Sequence, residues 1–524
     1  MERKKLPIGI QTFAKIRREH CYYVDKTPFV ARLAEDGGYY FLSRPRRFGK
    51  SLFLDTLAEA FAGSRELFTG LYLQEHWDWD SRHPVIRISF AEGRLECRAD
   101  LDRRIRGILR ENAERLQVGL DDLDDTSGSF GQLITRAAEK HKRQAVVLVD
   151  EYDKPILDNL TDPDTARAMR EGLRNLYSVL KGRDADLRFV FLTGVSKFSK
   201  VSLFSGLNNL YDLTLDASVA TICGYTEDDL DTVFAPEFAA AAQDGQPLSR
   251  EIVRAWYNGY RWGSEASVYN PFDVLLLLRQ REFRAWWFET ATPTFLVEWL
   301  MRHQFFTPRL ERLYASEALL SAFDVDRIEP EALLWQTGYL TIHASRPTPA
   351  GPAYFLGVPN HEVRTALNEA LLTAWLPAPT RVREAGLDLY DWLAQGDTEA
   401  VHGHFQRLFA SIPADWYRKS PIAQYEGYFA SVFYSHLASL GLSIIPEDIS
   451  SHGRCDLAVR YEHTVWVFEF KVVDGEAPTG AALTQLRAKN YAAKYRAPGI
   501  TVIEVGVEFS TAKRQIVGWE VALA

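Results

Sequence analysis

The sequence predicts an α/β protein in three parts: a mostly parallel sheet over residues 1–220, a helical lid or middle region over 221–420 with winged-helix-like character in part, and a smaller α/β domain over 421–524. Three observations predict it. Apolar runs alternate with helical patterns through the first 220 residues, which implies a parallel sheet with crossover helices. The alternation gives way to helical stretches after about residue 225. A new α/β pattern begins near 421. At ~150 residues per domain, a 524-residue chain also suggests about three domains.

The elements follow in order. GYYFLSRP (38–45) reads as a strand and KSLFLDTLAEAFAG (50–63) as the helix after it. PVIRISFA (84–91) is a second strand. AVVLVDEYD (145–153) is a third, and its continuous β-branched run suits a strand covered on both faces. The helical pattern DTARAMREGLRNLYSVLKG (164–182) leads to strands at 187–195 and 211–216. Thr226 is placed to cap a helix with an acidic first turn. SRPTPAGPAYF (345–355) reads as a Pro/Gly-rich break, and a helical pattern runs over 381–412. The last part reads as the helix QYEGYFASVFYSHLASLG, strands RCDLAVR and VWVFEFKV, the helix ALTQLRAKNYAAKY and a final strand ITVIEVGVEF.

Composition narrows the function classes. With 46% hydrophobic and 25% charged residues, the chain is neither disordered nor a fibrous rod. Four dispersed cysteines form no CxxC pair, so neither a disulfide framework nor a zinc site is expected, and a reducing, cytoplasmic setting is the simplest reading. The opening MERKKLPIGI lacks the apolar segment of a secretory signal. No apolar run reaches the ~18 residues of a membrane span. A net charge of −9 argues against coating nucleic acid by bulk charge but leaves room for a local basic groove.

The first motif is Arg44-Pro45-Arg46-Arg47-Phe48-Gly49-Lys50-Ser51, between a strand and a helix. Gly49 lets the backbone approach phosphate, Lys50 can reach the β- and γ-phosphates, Ser51 can ligate Mg²⁺, and the helix N-terminus offers N–H donors. Arg44 stands where a phosphate loop usually has Gly, and Arg46 and Arg47 are candidate compensating donors. The same residues also fit a solvated basic loop. About one hundred residues on, Asp150 and Glu151 end an apolar strand. Asp150 is placed to hold Mg²⁺ and Glu151 to polarise water, although a strand-end carboxylate pair can also simply cap the next segment. Thr193, at the end of a later strand, is a candidate γ-phosphate sensor or a packing residue.

The second motif lies in the C-terminal part. Side chains alternate along a strand, so Glu469 and Lys471 share one face. A short turn at Glu462-His463 pairs Tyr461 with Thr464 and brings Asp456 opposite Glu469. Opposed Cβ atoms lie ~4.5–5.5 Å apart, a separation that suits a shared Mg²⁺. Lys471 could orient a water or stabilise charge on a phosphate. A one-residue slip of register would send Asp456 to the other face. A solvated hairpin with a Glu–Lys contact is the alternative, but charges interrupting so apolar a strand demand a partner.

YVDKTPFV, RPRRFGKS, VLVDEYDKPI, LTGVSKFSKVSLFSGLNNL, GYT, WYNGYRWG, YNPF, QTGYLTI and LGVPNHEVR together resemble the bacterial AAA-ATPase-like family fused to a C-terminal PD-(D/E)XK nuclease-like domain. The resemblance covers nearly the whole chain and includes the Arg at the first loop position. It implies a P-loop NTPase sheet, a restriction-endonuclease-like α/β domain, and ATP and Mg²⁺ as cofactors. It makes Asp456 the metal-bridging Asp, Glu469 the second metal ligand, Lys471 the catalytic Lys and Glu426 a helix Glu that adds a ligand. Gln485 and Tyr491 match an auxiliary helix, and Gly453-Arg454 fits GR-x-D. Nucleic acid is an implied partner, DNA ahead of RNA, and ring-forming relatives make self-assembly another.

The function expected is a Mg²⁺-dependent ATP-binding and hydrolysing protein coupled to a phosphodiester-cleaving domain. The alternative is a nucleotide-dependent switch whose last domain binds nucleic acid or a partner without cutting. A third reading is an ATPase whose last domain only caps the fold. Residues 421–524 carry nine Lys/Arg and eleven Asp/Glu, which speaks against strong independent DNA binding.

Overall fold

The computed structural model describes residues 3–197, 207, 209–291, 296–297, 299–300, 305–320, 323–324, 326–375, 379–412, 426–450 and 453–524. The chain forms two compact units, Met1–Ala291 with Tyr314–Asn360, and Thr292–Leu313 with His361–Ala524. The stretch 221–420 is shared between them. Among the described residues no helix is long and apolar enough to cross a membrane.

The first unit is built on a five-stranded sheet. Its strands are β1 (Gly38–Ser43), β2 (Val85–Ser89), β3 (Ala145–Asp150), β4 (Leu187–Gly194) and β5 (Leu210–Asp212), in the spatial order β2-β3-β4-β1-β5. Every pairing is parallel. All six residues of β3 are buried, as its unbroken apolar run requires. Parallel strands place the ends of β1 and β3 at one edge of the sheet with β4 between them. The loop after β1 and the carboxylates after β3 therefore share the edge where open α/β sheets bind ligands.

Thr226 caps its helix as expected. Its hydroxyl accepts from Asp229 N at 3.1 Å, and the Asp229 carboxylate accepts from Thr226 N at 2.7 Å. The expected break at 345–355 is instead a β-hairpin, Thr341–Thr348 with Gly351–Gly357. Its Pro and Gly residues concealed the strands, because Pro donates nothing to a ladder and normally signals an edge or a turn.

The second unit holds a mixed sheet behind the helix α1 (Glu426–Ser439). In order its strands are β6 (Ser443–Ser450), β7 (Gly453–Tyr461), β8 (Thr464–Val473), β9 (Thr501–Ser510) and β10 (Gln515–Leu523). Only β8 and β9 run parallel. β6 and β10 are the two edge strands, and both extend the expected pattern. β6 carries Pro446 and β10 carries Gly518, residues an edge tolerates and a sequence pattern penalises. Phe468 and Phe470 of β8 pack on Phe433 of α1, each with ring centroids 5.0 Å away. The opposite face buries Val465 and Val467 against Leu486, Tyr491 and Ala492. The helix expected to reach Tyr495 ends at Lys489, because Asn490 adopts a left-handed φ of 46° and a 3₁₀ turn follows.

Two buried histidines cross this core. His404 and His436 face each other through Nε2 at 2.7 Å, and their rings stack with centroids 4.9 Å apart. Burial lowers His404 to about 4, and burial with His404 alongside lowers His436 to about 3. An unfolded chain takes up these protons near pH 6.5, where the native pair refuses them. The pair's stabilisation is therefore complete above pH 6.5 and declines as pH falls toward 3–4, by up to ~1.4 kcal/mol per proton per pH unit. Urea midpoints measured between pH 7 and pH 4.5 should fall for the wild type, and His436→Phe should flatten the dependence. A wild-type midpoint insensitive to pH over this range contradicts the assignment.

Candidate functional sites

The first site is the loop between β1 and the helix Lys50–Ala62. Gly49 takes a φ of 95° immediately before the helix, a conformation suited to Gly that turns the first helical amides toward the loop. Lys50 is buried, and its ammonium donates to the carbonyls of Arg44 at 2.8 Å and Pro45 at 2.9 Å. Burial lowers the Lys50 pKa, while Asp150 and Glu151 oppose that shift. Ser51 lies beside the Asp150 carboxylate and pulls its pKa down against the effect of burial. Burial raises Asp150; burial and then Asp150 raise Glu151. Glu151 also holds a left-handed φ of 49°, a strained backbone at the end of the strand. Lys50, Ser51, Asp150 and Glu151 thus gather as the sequence predicts. A hydroxyl and a carboxylate beside a lysine form a donor set that fits Mg²⁺ and phosphate.

Several residues of the expected set are engaged within the protein. Arg44 is turned into the interior. It is fully buried, donates to the carbonyls of Ser43 at 2.8 Å and Thr214 at 3.0 Å, and lies 4.3 Å from the Trp262 ring centre. Burial lowers its guanidinium to about 10. Phe48 is packed edge-on between Tyr260 at 4.7 Å and Trp262 at 5.4 Å, and Arg47 lies over Phe272 at 4.9 Å. Thr193 is fully buried and donates to Leu42 O at 2.9 Å, so its hydroxyl is spent inside the sheet. Arg46 is half-buried and acts electrostatically on Glu151.

These contacts explain motifs whose role the sequence alone leaves open. WYNGYRWG supplies Tyr260 and Trp262, and YNPF supplies Phe272. The GYT segment donates Gly224 N to Phe48 O at 3.1 Å. Trp287 donates to Arg46 O at 3.0 Å and packs on Tyr339 of QTGYLTI at 5.3 Å. The loop is clamped from behind by aromatic side chains. Asp153 is a further residue the sequence reading passed over. Fully buried, it accepts from Val195 N at 3.0 Å and from Ser196 N and Oγ at 2.6 Å each, fixing the end of β4. Its signal was a second Asp three residues after Asp150, in a run otherwise destined for the core.

The second site lies on the β7–β8 hairpin. The ladder runs from Tyr461–Thr464 to Leu457–Phe468, the register the sequence required. Asp456 lies just past the last ladder pair, and its Oδ2 accepts from Phe470 N at 2.7 Å. Glu469 is buried, its Oε1 accepts from Gln485 Nε2, and Lys471 Nζ lies 3.8 Å from the same oxygen. Cys455, buried beside them, is pushed up to about 12 by burial and by Asp448, Glu469 and Asp456. Glu426 opens α1, but its side chain lies outside the described residues. Tyr491 is buried in the apolar cluster with Val465, Val467 and Leu486. Among the described residues no three His, Cys, Asp or Glu side chains form a metal cluster. Mg²⁺ keeps several waters and takes one or two carboxylates, so Asp456 and Glu469 still fit it.

The two geometries define a class: a P-loop ATPase-like unit joined on one chain to a nuclease-like sheet with paired carboxylates. Residues 7–204 match the family described as "Predicted AAA-ATPase", and residues 424–519 match the PD-(D/E)XK nuclease superfamily. The chain is 55% identical over 522 residues to a protein of Azotobacter chroococcum mcd 1 named "Uncharacterized protein in vnfD 5'region", with 99% of each covered. It belongs to this AAA-ATPase-like family with a C-terminal PD-(D/E)XK domain. No solved structure matches it.

Replacing Trp262 by Ala removes the ring against both Arg44 and Phe48. Loss of a buried aromatic costs ~3–5 kcal/mol, so a lower melting temperature is expected. Titration with a fluorescent nucleotide should show at least ~10-fold weaker binding, the equivalent of about 1.4 kcal/mol. Unchanged affinity in a folded variant contradicts the clamp.

Proposed function

We propose that the protein binds and hydrolyses ATP with Mg²⁺ through its first unit and cleaves phosphodiester bonds, in DNA ahead of RNA, through its second. The observation that carries the first half is the convergence of Lys50, Ser51, Asp150 and Glu151 at one sheet edge. On binding, the Lys50 ammonium leaves the Arg44 and Pro45 carbonyls for the β- and γ-phosphates. Ser51 and Asp150 would hold Mg²⁺, which would neutralise charge on the phosphates. Glu151 accepts a proton from the attacking water. Its raised pKa brings it closer to the working pH of a general base.

In the second unit, Asp456 and Glu469 would hold a divalent ion that polarises the phosphate and lowers the pKa of a bound water. Gln485 fixes the Glu469 carboxylate, and Lys471 places a positive charge where the phosphate becomes more negative. Aspartate on one strand and Glu-x-Lys on the next support this reading, as does membership of the superfamily.

The halves are separable by mutation. Lys50→Ala should abolish nucleotide binding, and Glu151→Gln should retain binding while lowering hydrolysis by at least ~10²-fold. Asp456→Ala should remove Mg²⁺-dependent nicking of plasmid DNA while nucleotide affinity stays at the wild-type value. Cleavage that survives in Asp456→Ala, or hydrolysis that survives in Glu151→Gln, contradicts the role assigned.

A further inference from the structure

The face of the second sheet that carries Glu469 is crossed by the helix α2 (Ala481–Lys489), which brings Gln485 to the carboxylate. That helix has no side-chain cap of its own; Gly480 precedes it with a φ of 72°. The cap comes from the sheet. Glu508 of β9, 2% exposed, accepts from Thr479 N, from Thr479 Oγ1 at 2.8 Å and from Ala482 N at 3.3 Å. Burial would raise its carboxyl, but hydrogen bonds from Thr479, Ala482 and Gly480 carry it below the ordinary range. An ionised carboxylate is thus held at the start of the helix, where free amides and the helix dipole favour it.

Gly506 fixes the height of the same helix above the sheet. It pairs with Glu469 across the β8–β9 ladder, as Glu508 pairs with Lys471. A Cβ on Gly506 would lie 2.3 Å from Leu483 N, so any side chain there would push the helix outward. The strand β9 therefore specifies the helix position twice, once by an anion at its N-terminus and once by the absence of a side chain under Leu483. Both lie directly opposite the Glu-x-Lys pair.

We infer that Glu508 is a positioning residue for the carboxylate site: it anchors α2 so that Gln485 holds Glu469 in one orientation. The inference rests on the reading of Asp456 and Glu469 as a divalent-ion site. Neither Glu508 nor Gly506 touches the reacting groups; each acts through the helix.

The test uses Mn²⁺ binding by the full-length protein, read from the electron paramagnetic resonance of free Mn²⁺. The signal of interest is the uptake that Asp456→Asn abolishes. Glu508→Ala and Gly506→Ala should each weaken it by ~10–100-fold, the usual effect of losing a group that orients a metal ligand. Glu508→Gln keeps a carbonyl acceptor and should stay within a few-fold of the wild type. The double variant Glu508→Ala/Gln485→Ala should bind no more weakly than Gln485→Ala, because both changes release the same contact. Should Glu508→Ala fail to fold, Thr479→Val takes its place in the cycle. It removes one donor to Glu508, with a smaller loss expected in the same direction. Additive losses, or a folded Glu508→Ala with wild-type affinity, overturn the inference and leave the site reading intact. A wild type with no Asp456-dependent uptake overturns both.

Discussion

The first unit depends on a buried cation resting on an aromatic ring. Arg44 occupies a position where a phosphate loop ordinarily needs a residue without a side chain, and the chain accommodates it by turning the guanidinium inward. Burying a charge is costly unless it is paired. Here two carbonyls bonded by Nη1 and the face of Trp262 offset part of that cost, while Nε and Nη2 have no hydrogen-bond partner among the described residues. Once Arg44 points inward, Phe48 can enter the aromatic pocket behind it, and the carbonyls of Arg44 and Pro45 can receive the Lys50 ammonium. The loop is shaped from behind by side chains more than two hundred residues later in the sequence.

The second unit solves a related problem with the opposite charge. Glu469 and Glu508 are both buried in a sheet with apolar neighbours. Each is satisfied by a donor from the segment around α2: Glu469 by Gln485, and Glu508 by Thr479 and the first amides of the helix. Removing that segment would leave both carboxylates without these donors, the situation in which a buried polar group becomes expensive. Folding of the helix onto the sheet and assembly of the site are therefore one event. In both units the geometry available for phosphate chemistry follows from how buried charges are compensated.

Much of this was legible in the sequence because it rests on short-range periodicity. The run Ala145–Asp150 had to be a covered strand, and Asp150 had to sit at its end. The alternation in Thr464–Val473 put Glu469 and Lys471 on one face, and the two-residue turn at Glu462-His463 set the register of the ladder from Tyr461–Thr464 to Leu457–Phe468, next to Asp456. What was not legible depends on contacts between distant segments. No local pattern tells whether Arg44 faces phosphate or the interior; that is decided by Trp262 and Thr214. Thr193 could be placed on its strand, but not against Leu42. The edge strands Ser443–Ser450 and Gln515–Leu523 were hidden by Pro446 and Gly518, residues a ladder edge accepts. Glu508 was visible as an acid in an apolar strand, the same signal that singled out Glu469, yet its partner amides are about thirty residues away.

The most direct measurement is a crystal structure of the full chain with Mg²⁺ and a non-hydrolysable ATP analogue. The account requires phosphate density against the amides of Gly49–Ser51, Lys50 Nζ moved from the Arg44 and Pro45 carbonyls onto it, and Arg44 still lying on Trp262. Arg44 swung out to bind the phosphates, or the analogue bound elsewhere with Lys50 still on its two carbonyls, would contradict it.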